Sequence, residues 1–257
     1  MRINYNYSPV KYFEEKFNIY YPENTNEAVI KSVKNNRIWE KKLVDRYSNL
    51  IKKNDIILDV GAYIGTHTIP FSILTGNNGM VYAFEPQKDI FNLLNKTINN
   101  NKITNITPIN KAVYNKNTKI NFSMNNKGTA SITHIRNKLK DKQIVSMDAI
   151  TIDSLKLDKV DLMKIDTEMC EWVILEGAEK TIQKCSPIIF LETFKTTKNI
   201  EKLKDFCRNH NYNYKHIGGD DYLLESTKST KSKKSKKCTK SKKSTKSKKS
   251  TKSKKYN

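Results

Sequence analysis

Apolar positions along the chain recur in two rhythms. Between residues 51 and 225, short apolar runs alternate with stretches in which apolar residues return every three or four positions, the succession expected of a parallel sheet with crossover helices. The runs predict strands at Ile56–Val60, Met80–Glu85, Thr107–Val113, Val160–Asp166 and Ile188–Glu192, followed by a closing antiparallel pair near Tyr212–Ile217 and Asp221–Glu225. Helices fit between them at Thr68 to about Leu74, Ile90–Asn100, about Glu168 to Ile182, and Ile200–Asn209. In the third of these, Trp172, Leu175, Ala178 and Ile182 share one face. The stretch from Lys116 to Ile152 is less regular and reads as an inserted hairpin or loop region around Gly128, placed to help form a substrate wall. Upstream, Trp39, Leu43, Tyr47 and Leu50 predict a helix of roughly 15 residues packed on the core, so residues 1–50 read as an N-terminal helical cap.

From Ser226 onward the pattern stops. Only Lys, Ser, Thr, one Cys, one Tyr and one Asn occur there, in a six-residue repeat visible at Ser244–Lys249 and again at Ser250–Lys255. Such a segment buries too little apolar surface to offset its conformational entropy, so residues 226–257 are expected to be a disordered polybasic tail. The tail also explains the charge. The 257 residues carry a net charge of +22, yet 15 lysines and no acid fall in the tail, leaving +7 on the chain from Met1 to Glu225. Those lysines attract nucleic acid non-specifically through counterion release, but no aromatics interleave with them to stack on bases.

A body running from Met1 to Glu225 is long enough to build a full hydrophobic core, which excludes a small disulfide scaffold. No apolar run approaches the roughly 20 residues needed to cross a bilayer. Met1–Glu15 lacks the apolar stretch of a secretory leader, so a cytoplasmic protein is expected. Cys170, Cys185, Cys207 and Cys238 show no CxxC spacing and no clustering with histidine, which indicates thiols rather than a disulfide framework or a metal site.

Candidate chemistry begins at Asp59-Val60-Gly61-Ala62-Tyr63-Ile64-Gly65-Thr66-His67-Thr68, directly after the first strand. This is the carboxyl end of a strand, where open α/β sheets bind ligands. Glycine there allows a tight turn and close approach to a ligand. Glu85 ends the second strand, where a carboxylate accepts hydrogen bonds from both hydroxyls of a ribose. An adenosine-containing cofactor follows. A dinucleotide would want G-x-G-x-x-G, but the spacing is G-x-x-x-G and a pyrophosphate would meet Tyr63. S-adenosylmethionine carries no phosphate and needs only the bent loop, the ribose carboxylate and an acceptor for its amino group, for which Asp59 is placed. Asp59, Gly61, Ala62, Gly65, Thr66 and Glu85 are the candidate cofactor-binding residues.

These motifs, together with Val81–Pro86, Val160–Glu168 running to Leu175–Ala178, and Pro187–Glu192, resemble the FkbM family of S-adenosylmethionine-dependent methyltransferases over about residues 50–225. The resemblance implies a class I methyltransferase fold, a Rossmann-like sheet with a C-terminal antiparallel hairpin, and methylation of a hydroxyl on a small molecule or sugar. The chain departs from the family at two places. Tyr63 stands where Asn is common, and Met169 stands where the family's D-x-E-G-x-E pattern has glycine, a residue that serves a special backbone angle or makes room for a ligand.

A hydroxyl acceptor must be oriented behind the methyl and lose its proton. Asp166 and Glu168, at the rim after the fourth strand, are the candidates for base or acceptor-positioning group; their structural alternatives are a helix N-cap for Asp166 and a first-turn helix carboxylate for Glu168. Glu192 points to the same rim. Lys164 reads as a snorkelling lysine, Glu171 as a helix-surface residue or a partner of a lysine, and His67 as a packing or capping residue. Three functions fit: an O-methyltransferase for a small molecule or glycan, a methyltransferase for a nucleic-acid ribose 2′-hydroxyl, and a catalytically silent binding module.

Overall fold

The computed structural model describes residues 3–124, 130–132, 143–167 and 169–228. The expectations for Gly128, for Glu168 and for the tail from residue 229 lie outside the described residues. In chain order the elements are β1 (Tyr5–Tyr12), β2 (Glu15–Pro22), α1 (Ala28–Lys34), α2 (Lys41–Leu50), β3 (Ile56–Val60), α3 (Thr68–Thr75), β4 (Met80–Phe84), α4 (Lys88–Asn100), β5 (Ile106–Ile109), β6 (Ala112–Val113), β7 (Thr118–Met124), β8 (Ala130–Ile132), β9 (Gln143–Ile150), β10 (Leu162–Ile165), α5 (Glu171–Glu176), α6 (Glu179–Cys185), β11 (Ile188–Glu192), α7 (Thr197–His210), β12 (Tyr212–Gly218) and β13 (Asp221–Ser226).

The central sheet has the order β12-β13-β11-β10-β3-β4-β5. Strands β11, β10, β3, β4 and β5 are parallel, and β13 runs antiparallel between β11 and β12. This is the expected Rossmann-like sheet with its antiparallel C-terminal pair. Alternate residues feed two cores. Ile57, Val81, Leu162 and Phe190 face the side covered by the N-terminal segment, α3 and α4, while Leu58, Phe84, Met163 and Ile189 face α5, α6 and α7. On the first side Tyr47 of α2 meets Phe71 and Phe190 edge-on, with ring centroids 4.6 and 4.8 Å apart, contacts worth about 0.5–1.5 kcal/mol each beyond area burial.

Residues 1–50 are not simply a helical cap. Two short helices are preceded by an antiparallel hairpin in which Tyr12 pairs with Glu15 and Tyr5 with Pro22. Ser8, Val10 and Tyr12 alternate inward along β1, and β2 lies on α4 through Tyr20 N–H, which donates to Thr97 Oγ1 at 3.1 Å. The helix near Trp39 begins only at Lys41 and spans 10 residues.

Two further expectations are corrected. The run Thr107–Val113 is not one strand, because Asn110 turns the chain by donating from Nδ2 to the carbonyls of Glu85 and Pro86, and β6 then joins a separate sheet with β9, β7 and β8. That second sheet occupies the inserted region. The helix expected from about Glu168 to Ile182 is split at Gly177, where a Cβ would come within 2.2 Å of the Tyr114 carbonyl oxygen. Among the described residues no helix is long and apolar enough to cross a membrane.

Candidate functional site

Between β3 and β10 the chain order of the sheet reverses, and the crevice beyond the carboxyl ends of such neighbours is the usual ligand position. A cavity of about 280 Å³ opens there. One end is built by the loop after β3. Its first turn depends on Gly61, which has φ +90° and approaches the next strand so closely that a Cβ would lie 1.9 Å from the Asp166 carbonyl oxygen. The Gly61 and Ala62 amides both donate to the Phe84 carbonyl, at 3.1 and 3.0 Å, tying the loop to the end of β4. Glu85, one residue past β4, is therefore set against the loop.

The Glu85 carboxyl is 3% exposed. Its Oε2 accepts from Tyr63 N–H at 3.1 Å and its Oε1 from Gln87 N–H at 2.8 Å. Burial pushes its pKa up to about 7, against the pull of the two amides. Of the candidate cofactor residues, Gly61, Ala62, Thr66 and Glu85 line the cavity. Asp59 and Gly65 are not in its wall. Gly65 faces the Leu94 side chain of α4, and Asp59 lies behind the loop, 0% exposed, accepting from Thr68 Oγ1 at 2.6 Å while its Oδ1 has no hydrogen-bond partner. Burial raises the Asp59 pKa although Lys164 opposes it.

The other end of the cavity is ionic. Asp59, Lys164, Asp166, Glu192 and Asp221 project from one face of the sheet, since Lys164 is the register partner of Asp59 and Glu192 that of Asp221. Lys164 does not snorkel. Its strand is buried along its whole length, and its ammonium donates to Asp166 Oδ2 at 2.7 Å. Burial alone would depress the Lys164 pKa, but Asp166 and Asp59 overcome it and hold the amine charged. Asp166 is 35% exposed. Burial disfavours its charged form, yet Lys164 and a hydrogen bond from Glu192 hold its carboxyl well below the usual range. Glu192 moves the opposite way, because its hydrogen bond with Asp166 and its burial favour the protonated form. Asp166 and Glu192 thus share a proton at the cavity rim, with the negative charge favoured on Asp166.

Glu171 was expected on a helix surface and is instead buried, with Oε1 accepting from Met169 N–H at 2.9 Å. It braces the turn between β10 and α5. Both departures from the family pattern lie in left-handed backbone, Tyr63 at φ +49° and Met169 at φ +81°. Tyr63 compensates by donating its hydroxyl to Glu27 Oε2 at 2.6 Å, whereas Met169 is 72% exposed.

Residues before the glycine loop complete the wall, a contribution for which no motif offers a signal. Tyr12 donates its hydroxyl to the Thr66 carbonyl at 3.1 Å. Glu27, Val29, Trp39 and Glu40 line the cavity. His67, expected as a packing residue, is 5% exposed, with Nδ1 3.0 Å from the Tyr47 hydroxyl and Nε2 3.1 Å from Glu40 Oε2. It also lines the cavity. Among the described residues none from Lys116 to Ile152 does so; much of the inserted region expected to form a substrate wall lies outside the described residues.

A family model described as the methyltransferase FkbM domain matches residues 59–215. No protein of curated function matches the sequence. Among solved structures, a methyltransferase FkbM from Methylobacillus flagellatus KT superposes with a TM-score of 0.50 at 15% identity, covering 71% of this chain and 50% of that one; the present chain therefore spans half the length of that relative. A putative rRNA-methylase from Clostridium thermocellum superposes with a TM-score of 0.48 at 13% identity, covering 72% of this chain and 92% of that one.

Proposed function

Because the chain belongs to the methyltransferase FkbM domain family, whose methyl donor is S-adenosylmethionine, we propose that it methylates a hydroxyl oxygen of a small molecule or sugar. The observation that carries this reading is the pairing, within one cavity, of a buried glutamate beside the glycine loop with an ionised aspartate at the opposite rim. The donor supplies an electrophilic methyl on a sulfonium, whose bonding electrons stay on sulfur when the acceptor oxygen attaches.

The residues fit such a donor. The Glu85 carboxyl, already held by two amides, keeps lone pairs for the two ribose hydroxyls. The bare backbone of Gly61 leaves room beside it, and the loop offers no cluster of cations for a pyrophosphate. Asp59 fixes the start of α3 from behind the loop through its hydrogen bond from Thr68. Asp166 accepts a hydrogen bond from the acceptor hydroxyl, orients it, and takes its proton as the new C–O bond forms. Lys164 keeps Asp166 ionised for that task. The donor set is the same whichever acceptor enters, so acceptor class is argued from charge. Glu27, Glu40, Glu85, Asp166 and Glu192 line the cavity against Lys111 and Lys164, which disfavours a phosphate backbone and supports a small acceptor over a nucleic acid.

The test is calorimetric titration of the protein with S-adenosylmethionine, followed by a screen of hydroxylated acceptors for release of S-adenosylhomocysteine. Asp166→Asn is expected to bind the donor as the parent does and to turn over about 10²–10⁴-fold more slowly. Absence of donor binding by the folded parent, or full turnover by the variant, refutes the reading.

A further inference from the structure

Resting on that reading, we propose that the acceptor carries a protonated amine, which docks against Glu40 while its hydroxyl faces Asp166. The argument is one of charge left over. At the acceptor end, Glu40, Asp166 and Glu192 line the cavity, and Asp221 stands directly opposite Glu192 across the β11–β13 pair. Lys164 is the buried cation among them and is already engaged by Asp166. Counting one proton shared by Asp166 and Glu192, the group stays negative after Lys164 is set against it.

The donor does not use up this surplus. Its sulfonium and amino group are partly balanced by its own carboxylate, and Glu85 is assigned to the ribose. Crowding is felt within the cluster: burial, then Glu40, push the Asp221 pKa up to about 6.

A separate observation points to a ligand at the same place. His67 is only 5% exposed in the cavity wall, yet its Nε2 has no hydrogen bond; the nearby Glu40 Oε2 is within 3.1 Å but out of alignment. Buried polar atoms are normally satisfied. The Glu40 carboxylate, placed beside this nitrogen without a hydrogen bond from it, is left for a ligand ammonium. Trp39, beside Glu40 in the wall, adds an aromatic ring, and aromatic faces attract cations. A metal ion is a poorer occupant, because among the described residues no three His, Cys, Asp or Glu side chains are grouped to hold one.

The experiment uses the full chain saturated with S-adenosylhomocysteine and measures binding of matched probes: 2-amino-2-deoxyglucose against glucose, and 2-aminoethanol against ethane-1,2-diol. The amine of each pair is expected to bind at least about tenfold more tightly than its neutral partner, as a charge-assisted contact requires. Glu40→Gln is expected to lower that ratio several-fold, and Glu40→Asp to retain most of it. The ratio is internal to each variant, so a general loss of stability does not imitate the effect. Equal binding within the pairs, no binding of either amine, or an unchanged ratio in Glu40→Gln overturns the proposal. Failure of the parent to bind S-adenosylhomocysteine overturns the methyltransferase reading instead, so the two failures are distinguishable.

Discussion

Replacing Glu85 by Gln separates what this carboxyl costs the fold from what it does for the cofactor. Folding raises its pKa from the ordinary value of 4.5 to about 7. As pH rises from 4.5, the unfolded chain releases this proton first, so stability falls until the folded group also ionises near 7. At about 1.36 kcal/mol per pH unit the full penalty is about 3 kcal/mol, most of it accumulating between pH 5 and 8. Gln keeps the shape and does not titrate. It brings a fixed cost where its NH₂ faces one of the two amides at Tyr63 and Gln87, about 1–3 kcal/mol. The difference in unfolding free energy between variant and parent is thus expected to move toward the variant by about 2–3 kcal/mol from pH 5 to pH 8, whatever its starting value. Urea denaturation across that range measures it. Donor affinity should fall at the same time, by roughly 10- to 100-fold at pH 8, from loss of the charge-assisted bonds to the ribose. In the parent, affinity should tighten as pH rises through 7. A stability difference that stays level within about 1 kcal/mol, or unchanged affinity in the variant, refutes the assignment of a buried, titrating ribose carboxylate.

Substitutions at two other positions test the backbone. Met169→Gly should be more stable than Met169→Ala by about 1 kcal/mol in denaturant melts, the reverse of the usual order, because φ is +81° there and a left-handed conformation costs a side chain about 1–2 kcal/mol; the usual order would show that the turn relaxes freely. Gly61→Ala should cost about 3 kcal/mol or more and abolish donor binding, since its Cβ meets the Asp166 carbonyl, and a stable, binding variant would show that β3 and β10 part easily.

The central strands were legible because parallel strands buried on both faces are written as continuous apolar runs, and Ile56–Val60 and Ile188–Glu192 match the structure at both ends. The hairpin at the N-terminus was not. Its turn is carried by Phe13 at φ +52°, with no glycine or asparagine to mark it, and its tyrosines match no single period. Gly177 shows the opposite problem, since an isolated glycine in an amphipathic run reads as tolerated until the Tyr114 carbonyl is seen against it. In the site, the loop and Glu85 follow from position along the sheet. Lys164 and Glu171 were misjudged because charge was equated with solvent, although Lys164 alternates along a central strand that has no wet face. Glu40 carried no signal, because it joins the site through folding of a segment with no motif of its own.

The match to the family begins at residue 59, yet Glu27, Val29, Trp39 and Glu40 stand in the cavity wall, fastened to the loop by Tyr12 and Tyr63. The cavity wall is therefore built jointly by the matched sheet and by a stretch of chain that the family match does not reach. Because the segment ahead of β3 is bonded to the glycine loop as well as lining the wall, exchanging it for that of a relative is expected to shift donor affinity and acceptor preference together, a coupling that binding measurements on such a chimera would read.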